Sequence, residues 1–409
     1  MQLKKRIVIF LSLSLILTAC KGTDVNLSQT QVVSQSVFKN SSQVEAEFFE
    51  HYKADKTANW ILGLEVLKLL DQQENVLISP VSLSIALAML QNGASGVTQE
   101  EILNILHRSD SAMVNQYYNT LSSIFEEVES LEVGNSLWIK EGIEPKIDFV
   151  DQLKANFDAE VHVANFNDVA TLEAINQWIE RETKGMLKDT LGEIDARDIA
   201  FLINTIYLKG EWEYPFEANA TKESLFTLFD GRQIDVEMMH MRENLNYAET
   251  EWAQIAEFPY TNGLTMRVIL PKTDVESALA AVDLNLVPYK LEDLNVSMPK
   301  FEYEVKNALT EVLKEMGMVQ AFDPYGAEFQ SMIDLRDENV YIGNIFQHTK
   351  IINDEKGTEA AAATVVEIEA TSAEFEEQPI NFHMNKPFIY VIEENVSGVP
   401  MFMGIVYKP

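Results

Sequence analysis

Apolar residues recur at helical spacing from Trp60 through Ile61, Leu64, Leu67 and Leu70, and this spacing predicts a first core helix. A second is bounded more sharply. Ser79 can cap the exposed amides, Pro80 suits the first helical position, and the apolar run 81–90 follows until Asn92-Gly93 stops it. Thr98 and Glu101 then stand at the spacing of a capping box ahead of Ile102 and Leu103. Residues 199–207, 265–270, 387–392 and 401–407 are rich in β-branched and aromatic side chains and read as strands. Helices dominate the first half and strands the second, so the expected fold class is α+β.

One stretch near the C-terminus has its own pattern. After Gly357 the even positions Thr358, Ala360, Ala362, Thr364, Val366, Ile368 and Ala370 are uncharged, whereas Glu359, Glu367 and Glu369 all occupy odd positions. A period of two suits a strand with one buried and one wet face, and no proline interrupts it. The four alanines at 360–363 intrinsically favour helix, yet they offer little steric resistance to entering between existing strands. Gly357 supplies a permissive hinge. On periodicity alone, an ordinary surface strand or an alanine-rich helical turn fits equally well.

The N-terminus reads as an export signal. Lys4, Lys5 and Arg6 precede an 11-residue, largely apolar run at 7–17, too short for the ~20 residues of a spanning helix. The ending Leu17-Thr18-Ala19-Cys20 resembles the bacterial lipobox, whose cysteine is lipidated and becomes the mature N-terminus. Of the 24 residues at 21–44, 13 are Ser, Thr, Asn or Gln, as expected of a flexible tether. Such a coil spans on the order of 25 to 30 Å. The expected organisation is therefore a signal at 1–19, lipidated Cys20 and tether at 20–44, and a folded region at 45–409.

Composition narrows the chemistry. At 46% hydrophobic and 23% charged, the chain is not wholly disordered, and its 409 residues suggest two or three domains. A single cysteine excludes an intramolecular disulfide framework and Cys-clustered metal sites. With 31 Lys plus Arg against 64 Asp plus Glu the net charge is −33, and loss of the signal leaves 28 basic residues and −36. This disfavours electrostatic binding to nucleic acid or anionic membrane, so a bilayer partner would be reached through Cys20 and its acyl chains. No Gly-x-Ser-x-Gly, His-Glu-x-x-His or phosphate-loop pattern occurs, and the six histidines show no metal-ligand spacing, so neither metal nor cofactor is expected.

Many segments, in order from about residue 58 to the C-terminus, resemble the serpin family. They include Asn75-Val-Leu-Ile-Ser-Pro-Val-Ser82, Asn92-Gly-Ala-Ser-Gly-Val-Thr98, and Ile175-Asn176 with Trp178, Thr183, Gly185 and Asp189. Asn204-Thr-Ile-Tyr-Leu-Lys-Gly210 with Trp212 and Phe216, Val296-Ser-Met-Pro-Lys-Phe301, the segment 313–322, Asn385-Lys-Pro-Phe388 and Phe402-Met-Gly404 complete the series. The resemblance implies one domain of three β-sheets and eight or nine helices, with an exposed reactive loop at about 355–384. It also implies a monomeric suicide-substrate inhibitor rather than an enzyme. In that mechanism a serine protease attacks the loop and forms an acyl-enzyme, and the freed loop inserts into the central sheet before water can release it. A bacterial protein of this kind would be exported and lipid-anchored at the cell envelope.

The same resemblance assigns residues. Glu355, Gly357, Thr358, Glu359, Ala360, Ala361, Ala362, Ala363 and Thr364 match the inhibitory hinge. Family spacing, 14 residues beyond Gly357, puts the scissile bond between Thr371 and Ser372, with Ala370, Ala373 and Glu374 as alternatives because the stretch is longer than in many relatives. Small side chains at 370 and 371 suit an elastase- or subtilisin-like protease, and the absence of Lys or Arg between Lys356 and Lys386 disfavours trypsin-like targets. A glutamyl-specific protease, a papain-like cysteine protease, a non-inhibitory serpin serving as a binding or storage module, and an enzyme on this scaffold remain as alternatives. The segment 114–133 resembles the helix where some relatives bind heparin, but it carries Glu126, Glu127, Glu129 and Glu132 and no basic residue, so heparin is not expected there. Ser79, Ser82, Asn204 and Gln347 match the region that controls sheet opening. Gln347 departs from the family, standing where many serpins have a histidine; its amide can both donate and accept. His348, if in a strand, should face the other way.

Overall fold

Eight α-helices lie among the described residues of the computed structural model, namely 31–34, 53–70, 72–195, 198–281, 288–333, 335, 339–358 and 378–409. They are α1 (Lys53–Leu70), α2 (Pro80–Gln91), α3 (Gly96–Ile105), α4 (Ser111–Glu127), α5 (Ile147–Phe157), α6 (Val169–Glu182), α7 (Val275–Ala281) and α8 (Thr310–Glu315). The strands are β1 (Gln31–Ser34), β2 (Val76–Ile78), β3 (Leu131–Lys140), β4 (Glu160–Ala164), β5 (Ala200–Leu208), β6 (Gly210–Glu211), β7 (Lys222–Thr227), β8 (Gln233–Glu249) and β9 (Ala253–Pro259). They continue with β10 (Leu264–Pro271), β11 (Lys290–Pro299), β12 (Phe301–Ala308), β13 (Phe346–Asp354), β14 (Gly357–Thr358), β15 (Ile380–His383), β16 (Phe388–Glu394) and β17 (Pro400–Val406).

Local chemistry explains the helix starts. Ser79 accepts from the Ser82 N–H and Pro80 opens α2, whose residues are nearly all buried, as an all-round apolar run requires. Asp110 and Asp168 cap α4 and α6 in the same way. The capping box expected at Thr98 and Glu101 does not form. α3 already begins at Gly96, the Thr98 hydroxyl accepts from the Glu328 N–H, and the Glu101 carboxylate accepts from the N–H groups of Val319 and Gln320. Both side chains thus fasten the helix to a distant segment, a demand that local spacing does not reveal.

The strands form three sheets: a four-stranded sheet ordered β1-β4-β3-β5, a second ordered β12-β13-β14-β6, and a nine-stranded sheet ordered β15-β11-β8-β9-β10-β16-β17-β2 with β7 on β8. The four strands read from the sequence correspond to β5, β10, β16 and β17 within a residue or two. Strands are not confined to the second half, because β3 and β4 precede α6 and pair in parallel. β16 and β17 are buried along their whole length and share one apolar core cluster with α1 and α2, a cluster that runs from Trp60 to Tyr407. A smaller cluster under α6 joins Trp138, Ile175 and Trp178 to β5. Residues 31–34, within the stretch read as a tether, pair as β1 with β4.

Candidate functional site

The two four-stranded sheets are joined at one end only. β6 follows β5 after a single residue, β14 pairs antiparallel with β6 on one side and β13 on the other, and β5 has no ladder to β13 among the described residues. Below β14 the two strands line a cleft between Ile206, Tyr207 and Leu208 on one side and Lys350, Ile351 and Ile352 on the other. Thr358 closes its end, and Ile392 and Phe402 also line it. Two antiparallel steps make β5 and β13 parallel to each other, so a chain continuing from β14 would run antiparallel to both and could bond to each.

The closing end is tightly built. Gly357 has φ +152°, and a Cβ there would collide with the Gly210 carbonyl, so the turn needs glycine. Thr358 is 5% exposed and its hydroxyl lies 2.7 Å from that of Tyr260, whose own hydroxyl is pushed far above its usual pKa by burial. Trp212 stacks on Tyr260 at 4.3 Å and donates its ring N–H to the Asp354 carbonyl at 3.1 Å. The Glu355 carboxylate accepts from the Thr221 hydroxyl at 2.8 Å and pairs with Lys300 at 3.3 Å. Burial would raise that carboxyl, but hydrogen bonds from its backbone, Thr221 and Lys300 outweigh it and hold the pKa below its ordinary value.

At the start of β13, at the end away from the closing turn, Gln347 locks the strand to the start of α2. The Ser79 N–H donates to Gln347 Oε1 at 2.8 Å, and Gln347 Nε2 donates to the Ser79 carbonyl at 2.9 Å. A neutral amide thus makes both bonds and titrates nowhere in the physiological range. Ser82 joins through its N–H to Ser79 Oγ. Asn204 does not: its Nδ2 donates to Asn135 Oδ1 at 2.7 Å, within its own sheet. His348 faces away from Gln347, as alternation requires, with Nδ1 at 2.9 Å from Thr190 Oγ1 and Nε2 at 2.6 Å from Glu304. Replacing Gln347 with alanine leaves the Ser79 N–H without its acceptor and takes one of two donors from the Ser79 carbonyl, which still accepts from the Leu83 N–H, and native stability should fall by about 1–3 kcal/mol, read as a lower denaturant midpoint.

Of the hinge residues, Glu355, Gly357 and Thr358 are therefore placed together at the closed end. Glu359, Ala360, Ala361, Ala362, Ala363 and Thr364 lie outside the described residues, as do Ala370, Thr371, Ser372, Ala373, Glu374 and Cys20. Sequence reasoning missed Thr221, Tyr260, Lys300 and Thr190, which come from four separate segments. Lys300 had a faint signal, since Val296-Ser-Met-Pro-Lys-Phe301 was among the matching motifs.

Comparison with known proteins agrees with this geometry. The sequence model of one family, "Serpin (serine protease inhibitor)", matches residues 57–409. An uncharacterized serpin-like protein of Methanosarcina acetivorans is 32% identical over 359 residues, covering 82% of this chain and 82% of its own. The thermophilic serpin tengpin in its native state is 30% identical, with a TM-score of 0.82 over 93% of this chain and 100% of tengpin. Tengpin in its latent state gives 0.75 over 90% and 99%, at the same identity.

Proposed function

The chain belongs to the serpin family, and from that membership we propose that it is a suicide-substrate inhibitor of serine proteases of elastase or subtilisin type. Serpins generally act on target proteases and not as catalysts. The observation that carries this reading is the gap between β5 and β13 with the hinge already seated at its closed end.

Register makes the reading specific. Thr358 opposes Asn353, so in-register continuation would set residue 360 against Ile351, 362 against Thr349 and 364 against Gln347. Ile351, Thr349 and Asn353 are 3%, 4% and 1% exposed, so this is the buried face. The residues that would fill it are Ala360, Ala362 and Thr364, all small and uncharged. The opposite parity brings Glu359 and Ala361 to the face that carries Lys350 and His348. After attack at Thr371-Ser372, the acyl-linked segment would enter the gap faster than water deacylates it, carrying the protease with it. Because insertion adds a central strand, the uncut state would be metastable and cleavage would stabilise the fold.

The reading extends to the N-terminus: residues 1–19 as a lipoprotein signal, lipid on Cys20, and a monomeric inhibitor held at the bacterial envelope. Leu17-Thr18-Ala19-Cys20 after a short apolar run supports it.

Incubation with an elastase-like or subtilisin-like protease should give an SDS-stable band of inhibitor plus protease. The fragment released on denaturation should begin at Ser372. Clean cleavage without a complex, and without a rise in thermal stability, would point instead to a non-inhibitory serpin.

A further inference from the structure

One buried acceptor beside the gap has no partner. Asn135 of β3 and Asn204 of β5 stand directly opposite each other in the ladder between these strands. Asn135 Nδ2 donates to the Phe157 carbonyl at 2.7 Å, which leaves Asn135 Oδ1 to accept from Asn204 Nδ2 at 2.7 Å. That chain of donors fixes the orientation of both amides, and Asn204 Oδ1 is left buried without a hydrogen bond among the described residues. An acceptor in this state has lost its hydration and gained nothing in return.

Register says what would come to it. β14 pairs with β6 through Gly357 opposite Glu211 and Thr358 opposite Gly210, so in-register continuation along β5 sets residue 360 against Leu208, 362 against Ile206 and 364 against Asn204. On the other side the β13 register sets residue 364 against Gln347. Thr364 would therefore fall in one row between Asn204 and Gln347. Leu208 and Ile206 pack on the large apolar core, and alternation puts Asn204 on that same face, where Gln347 reaches Ser79 of the α2 start. Side chains opposite each other in neighbouring strands stand about 5 Å apart at Cβ, within reach of a hydroxyl-to-amide bond. Of the even positions from 360 to 370, Thr364 alone carries a polar side chain.

We propose that Asn204 Oδ1 is a preformed acceptor for the Thr364 hydroxyl, and that Thr364 is the positioning residue that fixes the register of the inserted strand. A slip of two residues, the smallest that keeps the same face inward, brings Ala362 or Val366 to the row, and neither can donate. Asn204 Oδ1 then stays unpaired, so the slipped strands are disfavoured. The same bond helps to drive insertion, because the acceptor is unpaired before it and paired after it. This inference rests on the inhibitory reading and assigns the contact by which the loop finds its place.

Guanidinium unfolding of the full chain, uncut and after cleavage in the loop by an elastase-like protease, tests it. Thr364→Val, close in shape but without the hydroxyl, should lower the folding equilibrium constant of the cleaved chain roughly tenfold and leave that of the uncut chain unchanged. Thr364→Ser, which keeps the donor, should recover most of the loss. In an Asn204→Ala background the valine should cost little; if that background folds poorly, the valine and serine variants decide the matter alone. No gain in wild-type stability on cleavage would overturn the inhibitory reading and this proposal with it. A wild-type gain that Thr364→Val matches in full, or a serine variant as weak as the valine one, would leave insertion standing and overturn the contact.

Discussion

Under the proposed loop-insertion mechanism, glutamate in place of Ala360 is expected to convert inhibitor into substrate, whereas glutamate in place of Ala361 leaves inhibition largely intact. The two positions are adjacent in sequence and identical in side chain, so composition and local propensity do not separate them; register does. Continued from Thr358 opposite Asn353, residue 360 would face Ile351 over the apolar lining supplied by Ile206, Ile392 and Phe402. A carboxylate carried into that lining must be desolvated without a partner, at a cost of several kcal/mol. If about 3 kcal/mol of this is felt in the transition state for insertion, insertion slows on the order of 100-fold and deacylation wins. Residue 361 would lie beside Lys350, whose ammonium already pairs with Glu302 at 3.0 Å, and a carboxylate there gains a favourable neighbour. The molar ratio of inhibitor consumed per protease inactivated should rise about tenfold or more for Ala360→Glu and change little for Ala361→Glu. Equal behaviour of the two variants would mean that the loop does not enter the gap in this register.

The contrast shows which parts of this protein a one-dimensional reading can reach. α2 was legible because cap, proline and apolar run are contiguous, and β16 and β17 because both are short, fully buried runs. Periodicity alone did not set the hinge apart from an ordinary surface strand; the family resemblance assigned it, and of its residues only Glu355, Gly357 and Thr358 lie among the described ones. β3 was missed because its middle is buried on both faces and contains Gly134, so alternation disappears there. Thr98 and Glu101 were misread because their partners, Glu328, Val319 and Gln320, are more than two hundred residues away. Gln347 was recognised as a departure, but only the fold shows that its amide satisfies both Ser79 groups, so losing the histidine does not leave the lock open. Asn204 was grouped with Ser79 by position in a motif, yet its hydrogen bonds stay within the neighbouring sheet.

The other large effect is expected from Glu355→Lys, at the point where the two sheets meet. The carboxylate sits between Lys300 and Thr221 with its side chain 14% exposed, and its own backbone carbonyl accepts from the Phe216 N–H at 2.8 Å. Lysine there places two ammonium groups where an ion pair stood and removes the acceptor that Thr221 uses. Breaking a largely buried pair in this way costs about 2–5 kcal/mol, and the partial exposure of Lys300 argues for the lower half of that range. The loss falls on the β13–β14 turn that closes the gap, so the end of the gap should open more often. If the uncut state is metastable, the variant should lose inhibitory activity on warming much faster than wild type and pass into inactive or associated species visible on native gels. Acid should act in the same direction on wild type. Because the Glu355 pKa is held below its ordinary value, its contribution is present above the ordinary carboxylate range and is lost as pH falls through the lowered native value. The variant should lack that response. Adding Lys300→Glu to Glu355→Lys restores opposite charges across the same gap, and recovery of the activity half-life in the double variant would assign the effect to the pair; no recovery would assign it to disruption of the turn itself.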